Sequence, residues 1–306
     1  DSLTGAFKGK CIIDDDMGYH GLGVAQGGMV DTPDGDWYAF MFQDRGALGR
    51  APVLMPMHFE DGFPIIGENG KVPEVVTVLD TGYQYAAING SDDFFYKPDE
   101  NGQITLKNFW EFNHQQMDDF WSVTENPGHL RLHSAKLSPT LFQAYNTLTQ
   151  RTVGPKCAAE VTLRFAHMKN GDVAGISTFI GNYGFTGVKK ENDQFYLIMM
   201  GRPAKDTTVF GQFEYENPGL EYARVPIYGE SICLRAEADF TDKRDLSSFY
   251  YKEGDNWQKL GIDQPMYFKM DLFTGCRFGL FYYSTEQTGG YVDFSKFQFI
   301  WPEYVY

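Results

Sequence analysis

The sequence has no apolar run approaching the roughly 20 residues that a membrane-spanning helix needs, which removes a helical membrane anchor from consideration. Cysteine is scarce. Cys11, Cys157, Cys233 and Cys276 are the four in 306 residues, too few for a disulfide framework and without the Cys-x-x-Cys spacing of a zinc site. Cys233 and Cys276 lie in apolar runs and are expected as buried free thiols. Positive charge is short: 26 Lys and Arg stand against 41 Asp and Glu, a net charge of −15. Phosphate backbones and anionic membrane surfaces both need a basic face, so nucleic acid and membrane are set aside as partners. Neutral ligands are indifferent to that charge. Histidine is also sparse, and only His129 and His133 have a zinc-like i, i+4 spacing. They fall in a strand-like run, where that gap puts them about 13 Å apart. The opening residues, Asp1-Ser2-Leu3-Thr4-Gly5, show no basic stretch followed by an apolar one, but a processed secreted chain would look the same. The compartment therefore stays open between cytoplasm and exterior.

What is abundant points to β-structure. Aromatics make up 16% of the chain, with 26 Phe and 19 Tyr, and 33 glycines supply turns. Residues 23–46 read as a β-hairpin: Met29-Val30 and Trp37-Tyr38-Ala39-Phe40-Met41-Phe42 are short apolar strands, and Thr32-Pro33-Asp34-Gly35-Asp36 is turn chemistry between them. Gly-rich entries followed by aromatic strands are typical of propeller blades. Further on comes a train of short strands, among them residues 159–165, 176–180, 195–200, 232–238, 278–283 and 291–299. Turns such as Asn170-Gly171-Asp172 separate them, and the spacing near ten residues predicts a β-sandwich. One helical stretch is expected, over residues 140–145. The predicted division is 1–75, a connector 76–90, and the sandwich 91–306.

The first hairpin resembles the last blade of the catalytic propeller in glycoside hydrolase family 43, the β-xylosidases and α-L-arabinofuranosidases. The resemblance continues through Phe109-Trp110-Glu111-Phe112-Asn113-His114, Trp121-Ser122-Val123, Pro127-Gly128-His129-Leu130-Arg131-Leu132, Gly171-Asp172-Val173-Ala174-Gly175, Phe273-Thr274-Gly275 and Gly289-Gly290-Tyr291-Val292-Asp293-Phe294. These occur in the family's order and look like its C-terminal sandwich. The fold it implies is all-β: the final part of a five-bladed β-propeller followed by a concanavalin-like β-sandwich, or jelly roll. The chemistry it implies is inverting hydrolysis, with an Asp base, an Asp that tunes the acid and a Glu acid, all on the first blades. No segment of this sequence resembles those blades. The expectation is thus a C-terminal portion whose catalytic carboxylates lie on an N-terminal propeller segment, as a second chain or as the earlier part of a longer one.

Some site residues would still fall here. Gln26 matches a position near the propeller axis, and its plainer reading is a side chain that caps strand ends. Arg45 matches an Arg that reaches the active-site floor, where a guanidinium would keep a carboxylate ionised and bond a sugar hydroxyl. Arg50 competes for that role, and Asp44 could pair with either. Phe273 matches a pocket-closing aromatic, with ordinary core packing as the alternative. No cofactor is required, but Asp93 and Asp293, with Asp92 beside them, are candidate ligands of a structural calcium if the first and last sandwich strands are neighbours. The plainer reading is turn and edge carboxylates that never meet. The implied substrate is a xylo- or arabino-oligosaccharide. The alternative function is a carbohydrate-binding or purely structural sandwich without hydrolysis. Two departures from the family, Phe63-Pro64 where Trp is common and Arg45 where some relatives carry His, leave xylose and arabinose undecided.

Overall fold

The computed structural model describes residues 4–6, 9–78, 81–203, 215–267 and 274–301. The chain divides into two units, one of Asp1–Arg45 with Gly49–Gln84, the other of Gly46–Leu48 with Tyr85–Tyr306. Regular structure among the described residues is strand or a single turn of 3-10 helix. The expected helix near residue 140 is only the 3-10 turn Leu141–Gln143. A segment of six residues next to Pro139 is too short to repay helix nucleation, so packing decides its shape.

The first unit is a four-stranded antiparallel meander of β1 (Val24–Asp31), β2 (Trp37–Asp44), β3 (Arg50–Glu60) and β4 (Phe63–Ile66), paired in that order. The turn at residues 32–36 is closed by bonds from Gly35 N to Thr32 O and from Thr32 N to Asp36 O. Registers Met29↔Ala39↔Met55 and Val30↔Tyr38↔Pro56 sort the side chains onto two faces. On one face Ala39, Met55, Met57 and Ile66 are buried beneath Ile12, Ile13 and Val72. The other face carries Val30, Phe40, Phe42 and Leu54, which the same registers align. Val30 and Phe40 are 52% and 54% exposed. A sheet that is apolar on both faces is built to be covered on both.

The second unit holds β5 (Glu111–Phe112), β6 (Trp121–Ser122), β7 (Leu130–His133), β8 (Leu148–Arg151), β9 (Lys156–Arg164), β10 (Asp172–Phe179), β11 (Gly184–Glu191), β12 (Gln194–Gly201), β13 (Leu220–Ile227), β14 (Ser231–Asp239), β15 (Leu246–Glu253), β16 (Asn256–Lys259), β17 (Gln264–Pro265), β18 (Arg277–Ser284) and β19 (Tyr291–Ile300). They form a seven-stranded sheet in the order β13-β12-β11-β10-β18-β8-β5 and an eight-stranded sheet in the order β16-β15-β14-β9-β19-β7-β6, with β17 beside β15. The core lies between the two sheets. Ala174, Ile176, Val188, Leu197 and Leu280 meet Leu132, Val161, Leu163, Leu234 and Phe294 there.

Period-2 alternation then sends Val173 and Phe179 of β10 to the opposite face, into a second cluster with Phe185, Ile198, Phe281, Tyr283 and the 3-10 residues Leu141 and Phe142. That is why β10 is buried along its whole length and reads in sequence as a run without polar-apolar alternation. Each large side chain buried this way contributes about 1.5–3 kcal/mol. Of the thiols, Cys157 and Cys276 are buried. Cys233 is only half-buried, because it sits on the outward side of β14, opposite Thr162.

Candidate functional site

In the first unit the sequence positions of interest lie at one end of the β1–β2 pair. Gln26 is exposed, and a bulge falls there between Ala25 and Gly27, with Gln26 at φ +49°. The bulge is tied to Gly27, where a Cβ would lie 2.1 Å from the Phe40 carbonyl oxygen, so the strands can approach only at glycine. Arg45 is half-buried, with its guanidinium carbon 4.3 Å from the centre of the Tyr19 ring. The competition for Asp44 goes to Arg50, whose Nε donates to the carboxylate at 2.9 Å while its guanidinium lies 3.9 Å over Phe42. Arg50 is thereby occupied, and Arg45 makes no hydrogen bond or ion pair with Asp44.

The loop beneath Arg45 is shaped by two aspartates. Asp16 accepts N–H bonds from Gly21 and Gly18 at 2.7 and 2.9 Å, and these hold its carboxyl below the usual range. Asp15 accepts from Val72 and Met17 and is lowered for the same reason, the Val72 N–H being the largest influence. Both are committed anions, poorly suited to proton transfer. The residue that the sequence reading passed over is Gln43. It is fully buried, and its Nε2 donates to the carbonyls of Asp16 and Leu22, both at 2.6 Å, so it fixes the loop that carries Tyr19. Its Oε1 is buried with no hydrogen-bond partner among the described residues. The signal was there: an amide closing the run Trp37-Tyr38-Ala39-Phe40-Met41-Phe42.

In the second unit the acidic candidates each have partners of their own. The first sandwich segment does meet the last strand, through the Asp92–Phe297 bridge. Asp92 is the buried member. It accepts from Phe94 N at 2.9 Å, Trp110 Nε1 at 2.8 Å and the Tyr96 hydroxyl, and pairs with Lys107 at 3.3 Å. Asp93 is exposed and accepts a long bond, 3.4 Å, from Phe95 N. Asp293 lies four residues from Phe297 along β19, and its oxygens are taken by Arg131 at 2.7 and 2.9 Å and by Asn126 at 2.9 Å. Burial pushes the Asp293 carboxyl upward, but the Arg131 and Asn126 hydrogen bonds outweigh it and hold it below the usual range. Among the described residues no three His, Cys, Asp or Glu side chains gather in a way that could hold a metal ion. Phe273 lies outside the described residues.

Asp293 instead belongs to a polar cluster that lines a cavity of about 230 Å³ on the outer side of the eight-stranded sheet. Arg131 stacks 4.1 Å over the Tyr291 ring, and His167 lies near-parallel to that ring at 4.4 Å and 17°. Glu125 joins Arg131 at 3.3 Å to His133 at 3.1 Å.

A family model described as the β-xylosidase C-terminal concanavalin A-like domain matches residues 99–300. A β-xylosidase of Formosa agariphila is 26% identical over 334 residues, covering 98% of this chain and 51% of its own length. A solved structure described as a bifunctional GH43-CE protein of Bacteroides eggerthii superposes with a TM-score of 0.80 at 37% identity, over 98% of this chain and 36% of that one. An engineered GH43 glycoside hydrolase, described as displaying endo-xylanase and exo-arabinofuranosidase activity, superposes with a TM-score of 0.78 at 29% identity, over 91% of this chain and 54% of its own. The chain spans about half the length of the curated β-xylosidase it matches.

Proposed function

The chain belongs to the family of C-terminal concanavalin A-like domains of glycoside hydrolase family 43 β-xylosidases, and on that premise we propose that it is the C-terminal portion of an inverting glycosidase acting on xylan-derived or arabinose-bearing glycans. Its acid and base lie on a propeller segment outside this chain. The observation that carries the reading is the meander β1–β4, apolar on both faces and covered within its own unit on one. In a propeller each blade packs between two others, and the face bearing Val30, Phe40 and Leu54 is the one a neighbouring blade would cover. The relatives' names supply the substrate class, β-xylosidase and arabinofuranosidase.

In this reading the chain contributes Gln26 and Arg45 to the pocket floor. Inversion needs two carboxyl groups about 6.5–9.5 Å apart, with a water between them. Asp15, Asp16 and Asp293 each accept two or three N–H bonds on their two oxygens, so their part is to hold structure. Arg45 supplies charge-assisted donors, either to a sugar hydroxyl or to a carboxylate that must stay ionised.

The experiment is hydrolysis of p-nitrophenyl β-D-xyloside and p-nitrophenyl α-L-arabinofuranoside, by this chain alone and by the chain joined to the propeller segment of a family 43 relative. Turnover only in the joined protein, with inversion of the anomeric centre seen by NMR, is the expected result. Hydrolysis by the chain alone would overturn the placement of the acid and base, and an inert joined protein would overturn the enzymatic reading.

A further inference from the structure

The 230 Å³ cavity at Tyr291 opens on the outer side of the eight-stranded sheet, and its parts have a chemistry of their own. Three neighbouring strands place Arg131, Asp293 and Arg164 side by side, since Asp293 is the register partner of both arginines. Asp293 gives its oxygens to Arg131 and Asn126. Arg131 Nη1 donates to Glu125. Arg164, on the other flank, is exposed and makes no side-chain hydrogen bond or ion pair among the described residues, and the same holds for Glu230 on the loop before β14. One cavity thus holds an unspent guanidinium, an unspent carboxylate, the Asn126 carbonyl and the exposed His167 ring, already fixed in plane against Tyr291.

We infer that this cavity is a binding site for one ring of a neutral sugar. Sugar hydroxyls both donate and accept, which matches Glu230 and Asn126 as acceptors and Arg164 as donor. The flat C–H face of a pyranose suits a stack on His167, which is held rigid and so loses little entropy on binding. The charge balance selects neutral over acidic sugars. Arg131 and Arg164 are matched by Asp293 and Glu230, so the lining sums to zero in a chain of net charge −15. An anion would gain one free arginine and meet Glu230 beside it. The size fits a single ring rather than a length of chain.

The use of a xylose oligomer as probe rests on the proposed function. The site itself needs no hydrolysis, so its failure would leave the glycosidase reading intact, and an inert joined enzyme would leave this site intact. The full 306-residue chain is titrated with xylotriose and followed by amide shifts in ¹H–¹⁵N NMR, with glucuronate as the charged comparison. Saturable shifts around residues 126, 164–167, 230 and 291 are expected, weakened at least about tenfold in His167→Ala and in Arg164→Ala. Both side chains are exposed, so both variants should keep the parent melting curve. Absence of shifts up to tens of millimolar, or shifts centred elsewhere, would overturn the site. Tighter binding of glucuronate than of xylotriose would overturn the ligand class.

Discussion

The indole N–H of Trp110 donates to the carboxylate of Asp92 at 2.8 Å, and that one bond ties the segment before β5 to the segment that bridges β19. Asp92 is 2% exposed and also takes Phe94 N, the Tyr96 hydroxyl and the Lys107 ammonium. Its anion is therefore paired and hydrogen-bonded, the condition under which a buried charge is tolerated. Asp92→Ala leaves these donors unanswered in the core, and a loss of about 3 kcal/mol is expected in urea unfolding. Trp110→Phe keeps an aromatic ring stacked on Phe94 and edge-on to Phe297 but removes the N–H together with part of the indole, so its cost should be about 2 kcal/mol, a lost hydrogen bond plus a small cavity. Equal losses in the two variants would mean that packing, and not the carboxylate, holds this corner.

Two buried carboxylates should respond to pH with opposite signs. Asp293 is held below the usual range by Arg131 and Asn126 against the pull of burial. The stability it contributes is present above the ordinary carboxylate value near 3.8 and is lost as pH falls through its lower folded value. Asp172 is raised, because burial outweighs the hydrogen bonds from Ser284, Tyr282 and Lys169 N. Its contribution is present at low pH and declines as pH rises through the raised value. Urea midpoints measured from pH 3 to pH 7 should show a shallower acid-side fall in Asp293→Asn and a shallower decline toward neutrality in Asp172→Asn. Slopes of one sign in both would refute the assignment.

Thiol reactivity should grade with burial. Cys11 is exposed and Cys233 half-buried, whereas burial pushes Cys157 up to about 12 and Cys276 higher still. Only a thiolate attacks Ellman's reagent. In native buffer Cys11 should react within seconds to minutes and Cys157 and Cys276 only on unfolding. Fast modification of either buried thiol would show that the start of β9, or the segment just before β18, opens readily.

Much of the sandwich was legible because its strands announce themselves by alternation, as in residues 232–238, and by turns such as Asn170-Gly171-Asp172. The 3-10 turn at Leu141–Gln143 was less so, since a short segment takes its shape from the cluster it packs into and not from its own propensity. Among the site residues, sequence could name Asp44, Arg45 and Arg50, but not which arginine would take the aspartate. That choice depends on Arg50 facing Asp44 across the β2–β3 register, with Phe42 on the same face. The role of Gln43 was hidden for a similar reason: its partners, the Asp16 and Leu22 carbonyls, come from a loop more than 20 residues away.

Arg45 and Arg50 should separate in the joined enzyme. Arg45 lies over Tyr19, while Arg50 is bound to Asp44 and Phe42. Loss of one charge-assisted contact to the transition state amounts to about 1.5–3 kcal/mol, so Arg45→Ala should lower kcat/KM by about 10- to 100-fold. Arg50→Ala breaks a partly exposed pair and should cost less than about 1 kcal/mol of stability with activity retained. The reverse pattern would transfer the pocket role to Arg50.

The face of β1–β4 that carries Phe40 gives a test that needs no substrate. In this chain alone Phe40 is more than half exposed, so Phe40→Ser removes little packing and should change stability by less than about 1 kcal/mol while reducing binding of the dye ANS. In the joined protein a neighbouring blade would bury the same ring. Deleting a buried Phe costs about 3–5 kcal/mol, so there the substitution should be severe. Val30, aligned on the same face, should behave in the same way at smaller scale. A substitution that is mild in both contexts would mean that this face is never covered, and the blade reading would fail with it. The contrast between contexts carries the information, because the chemical change at residue 40 is identical and only the neighbour differs.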